Sequence, residues 1–163
     1  MDEHQRNSFS VLFVCTGNLC RSPMAETLFK HFLEKKYPPA DVLNWQVASA
    51  GTLAARGEPA TLGAQLAMSR RELTLINHRS KQVTRKLLAK FKLVLVMESG
   101  HKEALQVEFP LYARKIYLLS EMAGKQGDIE DPIGGSLADY AMTANEIDGL
   151  IEGGFEKIFQ LAK

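Results

Sequence analysis

The chain has 163 residues, 45% hydrophobic and 24% charged, which is enough apolar surface for one globular core and too little length to expect two domains. A formal net charge of +1 with no long run of like charge removes the electrostatic case for a nucleic-acid or membrane partner. Met1 to Ser10 lacks the apolar stretch of a signal peptide, and no apolar run approaches the ~20 residues that cross a bilayer, so a cytoplasmic location is expected.

Residues 1–163 read as a single domain with a flexible tail over residues 1–8. Val11 to Val14 is a short β-branched and aromatic run that predicts a buried strand. Between Cys15 and Arg21 lie the turn formers Gly17 and Asn18 and a second cysteine, Cys20. Ser22-Pro23 then opens a helix, with Ser22 as the predicted N-cap and Glu26 near the positive end of the dipole. Met24, Ala25, Leu28, Phe29, Phe32 and Leu33 recur at helical spacing until Tyr37-Pro38-Pro39. Leu43 to Ala50 predicts a second strand closed by Gly51, and Ala60 to Leu73 a helix. Ser80 is the expected cap of a further helix that turns Val83, Leu87 and Leu88 inward. Leu93 to Val96 is the continuous apolar run of a parallel strand covered on both faces. Gly100 to Phe109 is helical in pattern, and Lys115 to Leu119 predicts the last strand. After a polar loop and Asp131-Pro132, a 3.6-residue period runs from Leu137 to Ile158, with a break expected near Gly153 because glycine costs ~1 kcal/mol in a helix. Strands alternating with helices predict an open, mostly parallel sheet with helices on both faces and the ligand outside the carboxyl ends of the strands.

Cys15 lies at that edge. A loop of five residues between Cys15 and Arg21 can turn successive N–H groups inward as a nest for a tetrahedral oxyanion, and the following helix N-terminus and the guanidinium fork favour the same ligand. The same field stabilises a thiolate. A free cysteine of pKa about 8.5 is only ~3% ionised at pH 7, so ionisation contributes at most roughly 30-fold and most of the acceleration has to come from the donors of the loop. A disulfide between Cys15 and Cys20 would close almost no chain, which makes the pair more plausible as reactive thiols than as a staple. No metal is expected: Cys-x4-Cys is not zinc spacing, and His4, His31, His78 and His101 are scattered.

The run Val14 to Glu26 resembles the signature of the low-molecular-weight protein-tyrosine phosphatases, and Ser49-Ala50-Gly51, His78-Arg79-Ser80, Val96-Met97-Glu98 and Asp131-Pro132 fall where that family has its other motifs. The resemblance covers roughly residues 9 to 160. It implies a three-layer α/β sandwich around a four-stranded parallel sheet of order 2-1-3-4. It also implies that Cys15 attacks phosphorus, that Arg21 and the loop from Thr16 through Gly17, Asn18, Leu19 and Cys20 hold the phosphoryl oxygens, and that Asp131 is the general acid and base. Ser22 would bond the Cys15 sulfur, with Ser49 and His78 bracing Asn18. Taken alone, Asp131-Pro132 reads more readily as a turn than as a catalytic pair.

Eukaryotic members of the family carry an aromatic residue where Thr52-Leu53-Ala54-Ala55 offers only Leu53, and many carry tyrosine where this chain has Ile133. Leu19, Leu53 and Ile133 are the expected walls of the substrate cleft, an arrangement that resembles the bacterial branch. The resemblance implies tyrosine-phosphorylated proteins as substrates and suggests a bacterial tyrosine kinase as partner. Phosphate or other oxyanions would bind the loop, no cofactor is called for, and peroxide would join Cys15 to Cys20 reversibly. A thioredoxin-coupled arsenate reductase shares the loop but needs further cysteines, absent after Cys20. A protein-arginine phosphatase differs by a threonine where Leu19 stands, and a phosphoprotein-binding module would not need Cys15, Arg21 and Asp131 together.

Overall fold

The computed structural model describes residues 8–163, so the expected tail lies outside the described residues except for Ser8. Four strands form one parallel sheet in the order β2-β1-β3-β4, as the resemblance implied. They are β1 (Phe9–Cys15), β2 (Trp45–Gly51), β3 (Leu93–Val96) and β4 (Ile116–Leu118). The register pairs Phe9 with Trp45 and Cys15 with Gly51 along β1 and β2, and Val11 with Leu93 on the other side. The central strands are apolar without alternation because both faces are covered. Val11, Phe13, Leu93 and Leu95 belong to one core, while Leu12, Val14, Val94 and Val96 belong to a second on the opposite face.

The first core is closed by α1 (Arg21–Lys36), α3 (Leu62–Ser69), the short α6 (Leu119–Met122) and α7 (Leu137–Leu161), and the second by α4 (Arg85–Ala89) and α5 (Ser99–Glu108). A turn of helix, α2 (Pro39–Val42), leads from α1 into β2. At the amino ends of the strands Phe9 stacks on Trp45 with centroids 4.6 Å apart, and Phe29, Phe155 and Phe159 close around the pair. The catalytic-looking loop is at the other end of the same strands.

Several local expectations are corrected. The first helix begins at Arg21 with Cys20 at the cap position and no side-chain cap, because Ser22 is buried and turned toward Cys15 instead. Ser80 does not cap a helix; its hydroxyl donates to Ala55 O at 2.6 Å and accepts from Glu58 N–H at 3.0 Å, while Thr84 caps α4 through Leu87 N–H. The helix after Ala60 stops at Ser69, where Glu72 takes a φ of 60°. No break occurs at Gly153. α7 runs unbroken, and Gly154 is where α6 crosses it: a Cβ there would lie 2.7 Å from Met122 Cβ.

Candidate active site

The loop from Cys15 to Arg21 is held by its carbonyls. Thr52 N–H donates to Cys15 O and Leu53 N–H to Thr16 O, each at 2.9 Å, Thr61 N–H donates to Leu19 O at 3.0 Å, and His78 Nε2 bonds Asn18 O at 2.7 Å. None of the backbone N–H groups of Thr16, Gly17, Asn18, Leu19 and Cys20 has a partner among the described residues. A loop whose acceptors are tied outward and whose donors are all free is a binding surface for an anion. Gly51 permits the arrangement, since a Cβ there would meet Thr16 O at 2.4 Å.

Asn18 fixes the curvature. It sits at a φ of 57°, a left-handed conformation that asparagine tolerates better than most residues. It is fully buried with its amide satisfied: Nδ2 donates to Ser22 Oγ at 2.7 Å and to Ser49 Oγ at 3.0 Å, and Lys81 N–H donates to Oδ1 at 3.1 Å. The bond from Asn18 leaves the Ser22 proton available for the Cys15 sulfur, 3.0 Å away. Cys15, Asn18, Ser22, Ser49 and His78 are therefore brought together as one connected network.

Arg21 is 1% exposed, and its charge is balanced by Glu98 Oε2 at 3.3 Å from Nη1 and Asp131 Oδ2 at 3.4 Å from Nη2. Nη1 also donates to Ile129 O at 2.7 Å, whereas the Nε–H is buried without a partner among the described residues. An unpaired buried guanidinium donor beside a ring of free amides fits a phosphoryl oxygen. Asp131 is oriented by the N–H of Ile133, which donates to Oδ1 at 3.1 Å. Its segment is anchored one step earlier, where buried Ile129 donates to Met97 O and accepts from Arg21.

Leu53 is 80% exposed and Ile133 57%, large apolar side chains on the two segments bonded to the loop and to Asp131; Leu19 is half-buried against the core. Both thiols are free. Cys20 faces Thr61 Oγ1 at 3.3 Å and the Tyr140 hydroxyl at 3.6 Å, and burial pushes its pKa up, as it does that of Tyr140. Tyr140, on the buried face of α7, is thus part of the floor beneath the loop. Sequence reasoning missed Ile129 and His101, and it placed Glu98 in a family motif without giving it a role. The signal within reach was a Glu and a His three apart where an apolar strand passes into a helix. No group of residues suited to hold a metal ion is found among the described residues.

The family described as low molecular weight phosphotyrosine protein phosphatase matches the chain over residues 10–160, and the chain belongs to that family. It is a cysteine-dependent phosphatase. A protein-arginine-phosphatase of Bacillus subtilis is 40% identical over 142 residues, covering 86% of this chain and 91% of the relative. Among solved structures, a low molecular weight protein tyrosine phosphatase from T. tengcongensis is 40% identical, with a TM-score of 0.84 over 92% of this chain and 99% of the other. Wzb of Vibrio vulnificus in complex with benzylphosphonate is 32% identical, with a TM-score of 0.78 over 96% and 99%.

Proposed function

We propose that the protein hydrolyses phosphotyrosine monoesters through a phosphocysteine intermediate. The observation that carries the reading is the ring of unpartnered N–H groups from Thr16 to Cys20 around the Cys15 thiol, with Arg21 and Asp131 at its edge. The Cys15 thiolate attacks phosphorus, the P–S bond forms as the P–O bond to the phenol breaks, and Asp131 gives its proton to the departing oxygen. Water then attacks phosphorus and yields a proton to Asp131, releasing phosphate and the thiolate. Ser22 donates to the sulfur in both steps, while Arg21 and the loop amides hold the equatorial oxygens as charge shifts.

The half-buried Leu19 and the exposed Leu53 and Ile133 favour a flat aromatic substrate over a guanidinium, which needs polar partners. The benzylphosphonate held by the Vibrio vulnificus relative is consistent with an aromatic group above such a loop. The 40% identity to a protein-arginine-phosphatase supports phosphoarginine as the second reading. Turnover on matched phosphotyrosine, phosphoserine and phosphoarginine peptides decides between them, with Cys15→Ser as the control that abolishes all turnover. Preference for phosphotyrosine is expected. Preference for phosphoarginine would overturn the substrate and keep the mechanism, and appreciable turnover by Cys15→Ser would overturn the mechanism.

A further inference from the structure

Thr16 follows the nucleophile, and its side chain enters a network that the reaction outlined above does not use. His101 Nε2 lies 2.8 Å from Thr16 Oγ1, and Arg21 Nη2 lies 3.4 Å from it. A guanidinium has no acceptor, so Arg21 donates. The direction of the histidine bond follows from the other ring nitrogen. Glu98 N–H donates to His101 Nδ1 at 3.2 Å, which places the lone pair on Nδ1 and the proton of the neutral ring on Nε2. That Nε2–H is directed at Thr16 Oγ1, with Glu98 Oε2 3.2 Å away as a second acceptor.

Several features keep the ring in this form. His101 is buried on α5, and burial is the main cause of a pKa below the ordinary value; Arg21 acts in the same direction, while Glu98, Asp128 and Asp131 oppose it. A second proton on Nδ1 would also face the Glu98 N–H, donor against donor. Both acceptor directions of the Thr16 hydroxyl are thus taken by donors, and its own proton has no acceptor among the described residues. The hydroxyl is a donor in search of an acceptor, on the residue next to Cys15 and in contact with the arginine that binds the oxyanion.

We propose that Thr16 Oγ1–H is a further hydrogen-bond donor to the phosphoryl group, and that His101 is the positioning residue that makes this hydroxyl donate only. The proposal rests on the reading of residues 15–21 as the phosphoryl cradle. It adds to the backbone amides and Arg21 a side-chain donor whose direction is set from a helix on the opposite face of the sheet. Serine at position 16 would serve as well as threonine. Valine, of nearly the same shape, would not.

The test is a double-mutant cycle read as competitive inhibition by inorganic phosphate, with p-nitrophenyl phosphate as reporter substrate. Thr16→Val is expected to weaken phosphate about tenfold, the usual size for a lost hydrogen bond to a charged group, and Thr16→Ser to restore it. His101→Phe is expected to weaken phosphate when Thr16 is present and to cost nothing further in the Thr16→Val background. His101→Gln, whose amide N–H can reach the same hydroxyl, restores most of the loss and serves where the phenylalanine variant fails to fold. Undiminished phosphate binding by Thr16→Val would overturn the proposal, as would an equal loss from His101→Phe in both backgrounds, or a loss in His101→Gln as large as that in Thr16→Val. Failure of the wild-type chain to bind phosphate would overturn the cradle itself, an outcome distinct from either.

Discussion

Asp131 lies between two duties: its Oδ2 approaches Arg21 and its Oδ1 holds the turn through Ile133 N–H. Replacing it by alanine leaves the cradle amides in place and removes the carboxyl that is the proton donor of the proposed reaction. Asp131→Ala should therefore lower kcat by roughly 10²–10⁴-fold on aryl phosphates with poor leaving groups and far less on good ones. Equal loss on both, measured across a series of substituted phenyl phosphates, would rule out the acid role. His101 gives a sign for pH. Its folded pKa lies below the ordinary 6.5, so below that pH the unfolded chain binds the proton first. The stability involved is fully present above pH 6.5 and is lost as pH falls through the folded value. The melting temperature of the wild type should fall more steeply below pH 6.5 than that of His101→Gln, and parallel curves would refute it. Spacing along one loop singled out Cys15 and Arg21, the family resemblance added Asp131, and the structure brings Arg21 and Asp131 within 3.4 Å of each other. What Glu98 and His101 touch was not legible, because only the pairing of β1 with β3 brings α5, 85 residues on, to Thr16.

Elements were legible where one physical cause dominated. The runs Val11–Val14 and Leu93–Val96 are apolar at every position because helices cover both faces, and they are strands as read. Ser22 and Ser80 misled because local chemistry had a stronger tertiary claimant, and Gly153 misled because α7 runs through it unbroken. Ser22 serves the sulfur, Ser80 ties two loops, and the glycines of α7 have different reasons to be there. Only Gly154 is pressed against a neighbour, with Met122 backbone carbon 2.9 Å from the position of a Cβ. Gly154→Ala should cost about 1–3 kcal/mol, while Gly149→Ala, with nothing within 4 Å of the new carbon, should gain about 1 kcal/mol from helix propensity. Thermal melts of the two variants should move in opposite directions, and a stabilised Gly154→Ala would sink the close-packing account.

On the scale of the molecule, the ends of the sheet divide the work. The carboxyl ends carry the loop, while the amino ends are closed by Phe9, Trp45, Phe155 and Phe159, with Phe155 4.8 Å from Phe32 and 6.0 Å from Trp45. Phe155→Ala removes the ring at the centre of that cluster and should cost about 3–5 kcal/mol. Its inhibition by phosphate should stay at the wild-type level, and a matching loss of phosphate binding would show that the two ends are not independent.

Trp45 is the chain's one tryptophan. Its register partner Phe9 is the first residue of β1 and Cys15 is the last, so the indole lies roughly 20 Å along the strands from the sulfur at ~3.3 Å per residue. Its fluorescence consequently reports whether the sheet and its aromatic end are intact, and it is blind to what the loop has bound. Every variant of Cys15, Thr16, His101 or Asp131 carries this built-in optical gauge, by which a chain that has lost a chemical group is told apart from one that has lost its fold.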